Sequence, residues 1–317
     1  MISGVSTNEA TERPPRTLII ICGPTASGKT HVAATLAKHF RAEVISADSR
    51  QFYKAMRIGT ARPVDEELLG VPHHFLGHLD TQETWSAGAF ARSAEPVLQD
   101  ILDRTGLAVL VGGSGLYIDA VRCGLDTMPP GDPALRLRLQ QRLEMEGIDA
   151  LADDLRRMDP QAAAQIDLRN PHRLIRAIEI RSSSGRSGMD LRTAPRVRGD
   201  LCIAHIALDV PREQLYGGIN ARVDRMIADG LVDEARELSP LRALNALNTV
   251  GYKELFDHFD GRTDLATAIR LIKQHTRNYA KRQMTWLRRD PLWRWFAPDD
   301  LVGMRDLIAR VQRDGQT

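Results

Sequence analysis

A doubly wound α/β core with a parallel sheet, an inserted helical domain and a helical C-terminal region is the fold this sequence predicts. Short apolar runs alternate with amphipathic helical stripes between residues 17 and 124. A wholly helical pattern then intervenes, and a buried-strand pattern returns at Cys202–Leu208. Strand, helix, strand, helix implies right-handed crossovers between parallel strands.

The elements follow in order. Residues 1–16 mix acids with arginines and have no apolar centre, so they read as a polar arm and not as a signal peptide. Thr17–Cys22 is short, apolar and rich in β-branched residues, as expected of a strand covered on both faces. Lys29–Phe40 puts Val32, Ala33, Leu36, Ala37 and Phe40 on one helical stripe. Residues 43–47 and 107–111 repeat the strand pattern, with a second helical stripe at 90–102 between them. The pattern changes near Met128-Pro129-Pro130-Gly131. Asp132 then serves as an N-cap with Pro133 at the first helical position, and the helix at 134–146 stops at Gly147. Asn170-Pro171 repeats that start for a helix running to about Arg181, and 182–199 is a Ser/Gly/Arg/Pro loop. Residues 17–127 and 201–317 are therefore the expected core with its helical C-terminal part, and 128–200 the inserted domain. Residues 213–289 read as mostly helical.

Composition excludes several classes. Hydrophobic residues make up 43% of the 317 and charged residues 26%, the balance of a soluble globular chain. No apolar run approaches the roughly 18 residues needed to span a bilayer. Cys22, Cys123 and Cys202 stand alone without a Cys-x-x-Cys pair, so neither a disulfide framework nor a structural zinc site is expected. Lys and Arg total 43 against 41 acids, so any nucleic-acid site must be local. A cytoplasmic monomer is the expectation.

Gly23-Pro24-Thr25-Ala26-Ser27-Gly28-Lys29-Thr30 follows the first strand and opens the first helix. It matches G-x-x-x-x-G-K-[ST] in the context that gives the motif its meaning, a P-loop of the NTPase kind. The glycines let the backbone N–H groups converge on a phosphate, and the helix N-terminus adds partial positive charge. Lys29 supplies a full charge, and the Thr30 hydroxyl is suited to Mg²⁺. A P-loop ATPase carries an acid at the end of a later strand. Here that strand runs instead into Gly112-Gly113-Ser114-Gly115-Leu116-Tyr117. This argues against a motor ATPase and leaves small-molecule kinases and transferases with a diphosphate leaving group. Asp48 follows the second strand, where strand carboxyl ends line the ligand crevice. Its position suits a general base or metal ligand, and equally an Asp that caps a loop before Ser49.

Together these motifs resemble the tRNA dimethylallyltransferases, also called tRNA isopentenyltransferases. The resemblance is carried by Gly23–Thr30, Asp48-Ser49-Arg50-Gln51-Phe52-Tyr53-Lys54, Ile58-Gly59-Thr60, Pro72-His73-His74, the 112–117 run, Val250-Gly251-Tyr252-Lys253-Glu254, and the segment from Thr276 to Trp286. It implies transfer of a dimethylallyl group from dimethylallyl diphosphate to N6 of the adenine 3′ of the anticodon, position 37, in tRNAs reading codons that begin with U. It implies Mg²⁺ and not ATP, with the donor diphosphate on Gly23, Pro24, Thr25, Ala26, Ser27, Gly28, Lys29 and Thr30. By resemblance Asp48 is the base, Thr25 and Arg222 meet the diphosphate, and the anticodon stem-loop meets Asp48, Ser49, Arg50, Gln51, Ser114, Asn170, Arg173, Gly251, Tyr252, Lys253, Arg277, Lys281, Arg282 and Gln283. Ser114 stands where the family usually has threonine, Gly218 where an arginine often stands, and Pro171 follows Asn170 where an aspartate is usual.

Residues 270–289 contain seven Lys or Arg and no acid. Arg270, Lys273, Arg277 and Lys281 form one helical stripe, with Leu271, Ile272, Tyr279 and Trp286 opposite. Such a face would bind RNA phosphates without reading sequence. The expected tRNA path crosses this stripe and the inserted domain. His73, His74 and His78 do not share one helix face, and structural roles are expected of them. A P-loop kinase of a small metabolite or nucleotide is the alternative; it needs ATP and has no use for the basic stripe. An RNA-binding protein with a structural P-loop is a third reading.

Overall fold

The computed structural model describes residues 15–126, 128–193 and 198–314. The expected N-terminal arm lies outside the described residues apart from its last two. Arg16 is not loose: its guanidinium donates to Gln99 Oε1 at 2.6 Å and Asp103 Oδ1 at 3.0 Å, and its carbonyl accepts from Cys202 N–H at 2.9 Å.

The chain forms β1 (Thr17–Cys22), α1 (Lys29–Phe40), β2 (Glu43–Ser46), β3 (His73–His74), α2 (Ala87–Thr105), β4 (Leu107–Gly112) and α3 (Gly115–Arg122). Four helices follow: α4 (Pro133–Glu146), α5 (Ile148–Met158), α6 (Pro160–Gln165) and α7 (Pro171–Ser184). Then come β5 (Cys202–Leu208), α8 (Arg212–Ala228), α9 (Leu231–Leu238), α10 (Tyr252–Phe259), α11 (Leu265–Leu287), β6 (Arg294–Phe296) and α12 (Leu301–Asp314).

The strands make one sheet in the order β3-β2-β4-β1-β5-β6, and every pairing is parallel. Alternation along β1 feeds two cores. Leu18 and Ile20 join a core with Phe90, Leu98, Ile101, Leu255 and Ile272. Ile19 and Ile21 join Val32, Leu36, Leu307 and Ile308 on the other face. Helices thus cover both faces, which is why the strands read as continuous apolar runs.

Two compact units emerge, one of residues 1–122 and 197–317, the other of 123–196. The second has its own core of Leu139, Leu151, Leu155, Leu174, Ile175 and Ile178. Asp132 Oδ1 accepts from Ala134 and Leu135 N–H, and Asn170 Oδ1 accepts from Arg173 N–H at 3.2 Å, so both prolines sit behind working caps.

The strand expected at 43–47 ends at Ser46, and the one at 107–111 gains Gly112. Helix α7 runs past Arg181 to Ser184, into the expected loop, of which 194–197 lie outside the described residues. The edge strands β3 and β6 have two and three residues, too few for a readable pattern.

Candidate active site

Adjacent strands β2, β4 and β1 end in the three segments that the sequence singles out. The P-loop follows β1, Asp48 follows β2, and Gly113-Ser114 follows β4. Because the strands are parallel, all these segments open at the same edge of the sheet, where ligand crevices of open α/β sheets form. Gly112 lets the ends of β2 and β4 meet. A Cβ there would lie 2.8 Å from the Ala47 carbonyl oxygen, while Ala47 N–H donates to Val111 O at 2.7 Å.

The loop turns through positive φ at Ala26 (64°) and Gly28 (81°), and glycine removes the steric cost at the second. Gly28 gives α1 no side-chain cap, and the first turn of α1 holds no acid. The orphan amides and dipole of α1 are therefore left for an external anion. Ser27 Oγ is buried with no hydrogen-bond partner among the described residues. Gly23 packs on Ser27: a Cβ there would sit 2.6 Å from Ser27 Oγ.

Lys29 and Arg222 converge on this loop, and Arg222 Nη1 lies 3.4 Å from Thr25 Oγ1. Burial pushes the Lys29 pKa down, Asp48 pulls it back, and Arg222 pushes it down again. Burial likewise lowers Arg222, against the pull of Glu67 and Asp48. Two desolvated cations that repel each other beside uncapped amides are an arrangement that can hold an anion. Pro24 turns the loop, accepting from Ser27 N–H at 3.2 Å, and Thr30 is half-buried in the first turn of α1.

Asp48 fits both of its sequence readings. Oδ1 accepts from Arg50 N–H at 3.2 Å, a turn contact, and Oδ2 has no donor among the described residues. Its loop is anchored by Phe52, which is fully buried and stacks on Phe90 at 5.3 Å. Ser49 Oγ lies 3.3 Å from Ser114 Oγ. Burial, and then Asp48, push the Tyr279 phenol up to about 12.

Several residues expected at the RNA have side chains committed inside the protein. Arg50 donates to the carbonyls of Asn245 and Ala246, both at 3.0 Å, and Gln51 to those of Thr60 and Ala61 at 3.2 and 3.0 Å. Gly251 N–H donates to Glu254 at 2.8 Å, and the fully buried Tyr252 donates its hydroxyl to Glu234 at 2.7 Å. Arg277 donates to Asn220 at 2.7 Å. Gln283 is 6% exposed, accepts from Thr25 N–H at 2.8 Å and donates to Gly113 O at 2.9 Å. Lys253, Lys281 and Arg282 are exposed, as is Arg173 on the other unit. The basic stripe is accordingly uneven. Lys273, with no acid on its own helix segment, pairs with Asp224 of α8 at 2.5 Å.

Tyr279 and Trp286, expected on the apolar face, are partly buried, and Trp286 packs against the core and on Gly115 in the turn after β4. Gln283 meets the same turn through Gly113 O, a contact between distant parts of the chain that no local pattern announces.

His73 and His74 cap the sheet edge, His73 Nδ1 lying 2.8 Å from Val71 O and His74 Nε2 2.7 Å from Glu43. His78 sits among Phe52, Phe75 and Trp85.

The model of the IPP transferase family matches residues 51–290. This chain belongs to the IPP transferase family. A tRNA dimethylallyltransferase of Christiangramia forsetii is 49% identical over 283 residues, covering 89% of this chain and 94% of that one. A tRNA dimethylallyltransferase 1 of Phocaeicola vulgatus is 44% identical, covering 94% and 99%. A solved tRNA isopentenylpyrophosphate transferase of Bacillus halodurans superposes with a TM-score of 0.71 at 37% identity, covering 95% of this chain and 98% of that one. In this IPP transferase the matched segment takes in the loop after Asp48, the turn after β4 and all of α11. No helix among the described residues is long and apolar enough to cross a membrane.

Proposed function

We propose that this protein is a tRNA dimethylallyltransferase. It moves the dimethylallyl group from dimethylallyl diphosphate to N6 of the adenine 3′ of the anticodon, at position 37, in tRNAs reading codons that begin with U. The products are N6-dimethylallyladenosine and diphosphate. The observation that carries the reading is the half-buried Lys29–Arg222 pair over an uncapped helix terminus, with the unengaged Asp48 Oδ2 in electrostatic reach of both cations.

The donor's C–O bond breaks with its electron pair going to the diphosphate. Charge grows there, so Lys29, Arg222, Thr25 and the loop amides stabilise the transition state more than the ground state. The N6–C bond forms, and the N6 proton passes to Asp48 Oδ2. A positioned base of this kind contributes about 10²–10⁴-fold.

Among the described residues no group of three or more His, Cys, Asp or Glu could hold a metal by itself. Mg²⁺ is commonly bound by one or two carboxylates plus substrate phosphates and water. The Thr30 hydroxyl would hold it together with the donor diphosphate and water, and Mg²⁺ bound there would neutralise the leaving diphosphate. Lys281 and Arg282 supply RNA phosphate contacts, with Lys253 and Arg173 as further cations open to solvent. Ser49 and Ser114 offer hydroxyls beside Asp48 for the acceptor base. A tRNA acceptor fits a cytoplasmic reaction.

The test is incubation with unfractionated tRNA, labelled dimethylallyl diphosphate and Mg²⁺, without ATP. Label in tRNA supports the reading. Phosphate transferred from γ-labelled ATP to a small molecule, with no label in tRNA, replaces it by the kinase.

A further inference from the structure

We infer that Gln283 is a donor-site positioning residue, and that through it α11 holds the diphosphate loop against the turn after β4. The inference rests on the prenyl-transfer reading of that site.

Burying a primary amide is unfavourable unless it is hydrogen-bonded. Gln283 is buried and uses both ends of its amide, the oxygen on Thr25 N–H at 2.8 Å and the nitrogen on Gly113 O at 2.9 Å. An apolar residue of the same length would fill the volume without these bonds, so the glutamine is explained by what it holds. Thr25 is the third residue of the loop, and its hydroxyl lies 3.4 Å from Arg222 Nη1. Fixing the Thr25 amide fixes the peptide plane from which the following amides turn toward the anion. It also keeps Thr25 Oγ1 beside Arg222.

The neighbours on α11 act in the same direction. Tyr279, one turn before Gln283, is partly buried on the same helix face. Trp286, almost one turn after it, packs on Gly115, where a Cβ would sit 2.5 Å from Trp286 Cδ2. Residues at these spacings share one helix face. Lys281 and Arg282 are exposed to solvent. One helix therefore grips the donor loop on one side and carries the cations proposed for RNA on another. Gln283 reaches the donor through the loop and is not an RNA contact.

Gln283→Met in the full chain tests this, assayed below the melting temperature of the least stable variant. Losing one buried hydrogen-bonded anchor should raise the donor KM on the order of tenfold, with tRNA Kd and kcat within about twofold of wild type. Gln283→Glu keeps an acceptor for Thr25 N–H, loses the donor to Gly113 and brings negative charge to the loop, so its donor KM should rise further. Inorganic diphosphate titrated onto wild type and both variants reads the loop without the reaction. If wild type transfers no prenyl group, the prenyl-transfer reading fails, and the diphosphate titration still judges Gln283. Unchanged donor KM and diphosphate affinity in both variants overturn the inference. So does a loss of tRNA affinity with donor binding intact, which would make Gln283 an RNA contact.

Discussion

Replacing Lys281 and Arg282 together with Ala separates an RNA-binding face from a merely solvated helix. Both side chains are exposed, and Lys281 has no ion-pair partner among the described residues, while Arg282 lies over the Tyr279 ring at 5.6 Å. Each phosphate contact contributes about 0.7 to the log–log salt slope for single-stranded RNA, so losing two should flatten the slope by about 1.4. Between 50 and 200 mM salt, the affinity of the double variant should therefore fall about sevenfold less than that of wild type. The assay is tRNA binding by filter retention or anisotropy at several salt concentrations, with donor KM measured in parallel. Lys273→Ala is the internal control. Its ammonium already faces Asp224 at 2.5 Å, so its removal should change the slope much less. An unchanged slope in the double variant, or an equal effect from Lys273→Ala, would refute the reasoning.

Lys29→Ala should raise donor KM about tenfold or more, because a charge-assisted contact of about 1.5–3 kcal/mol is lost, while tRNA Kd holds. Tyr252→Phe keeps the buried ring but removes the hydroxyl that donates to Glu234 at 2.7 Å; the Arg57, Ile58 and Gly59 amides still hold that carboxylate. Thermal melting should show a loss of about 1–2 kcal/mol with tRNA affinity intact, whereas an RNA contact would show the reverse. His205 is held neutral by burial and by Arg122, with its pKa lowered from 6.5 to about 4. The unfolded chain therefore binds this proton first, so the contribution is complete above about pH 6.5 and is lost as pH falls toward about 4. It amounts to at most about 3 kcal/mol, and His205→Gln should flatten the acid limb of the stability curve measured by urea titration.

The core and its crevice were legible because each carries a local signature. Thr17–Cys22 and Cys202–Leu208 are buried apolar runs whose bounds match β1 and β5, and Lys29–Phe40 shows its helical stripe directly. The P-loop reads from spacing alone, and Asp48 from its place after a strand. What could not be read is partnership across the chain. Nothing local to Arg50 says that its guanidinium will hold the 245–248 segment, or that Tyr252 will meet Glu234. The basic stripe looked uniform because its compensating acid, Asp224, lies on another helix. Gln283 sits 258 residues from Thr25, and only the packing of α11 against the P-loop brings them together.

The most direct measurement compares kcat of wild type and Asp48→Asn at saturating donor and tRNA, with both dissociation constants determined for each. Asn keeps the shape and its Oδ1 still accepts from Arg50 N–H, but the side chain cannot take the N6 proton. The expected result is a fall in kcat of about 10²-fold or more with both substrates still bound. A near-normal kcat would contradict Asp48 as the base and leave it as the residue that turns the chain after β2.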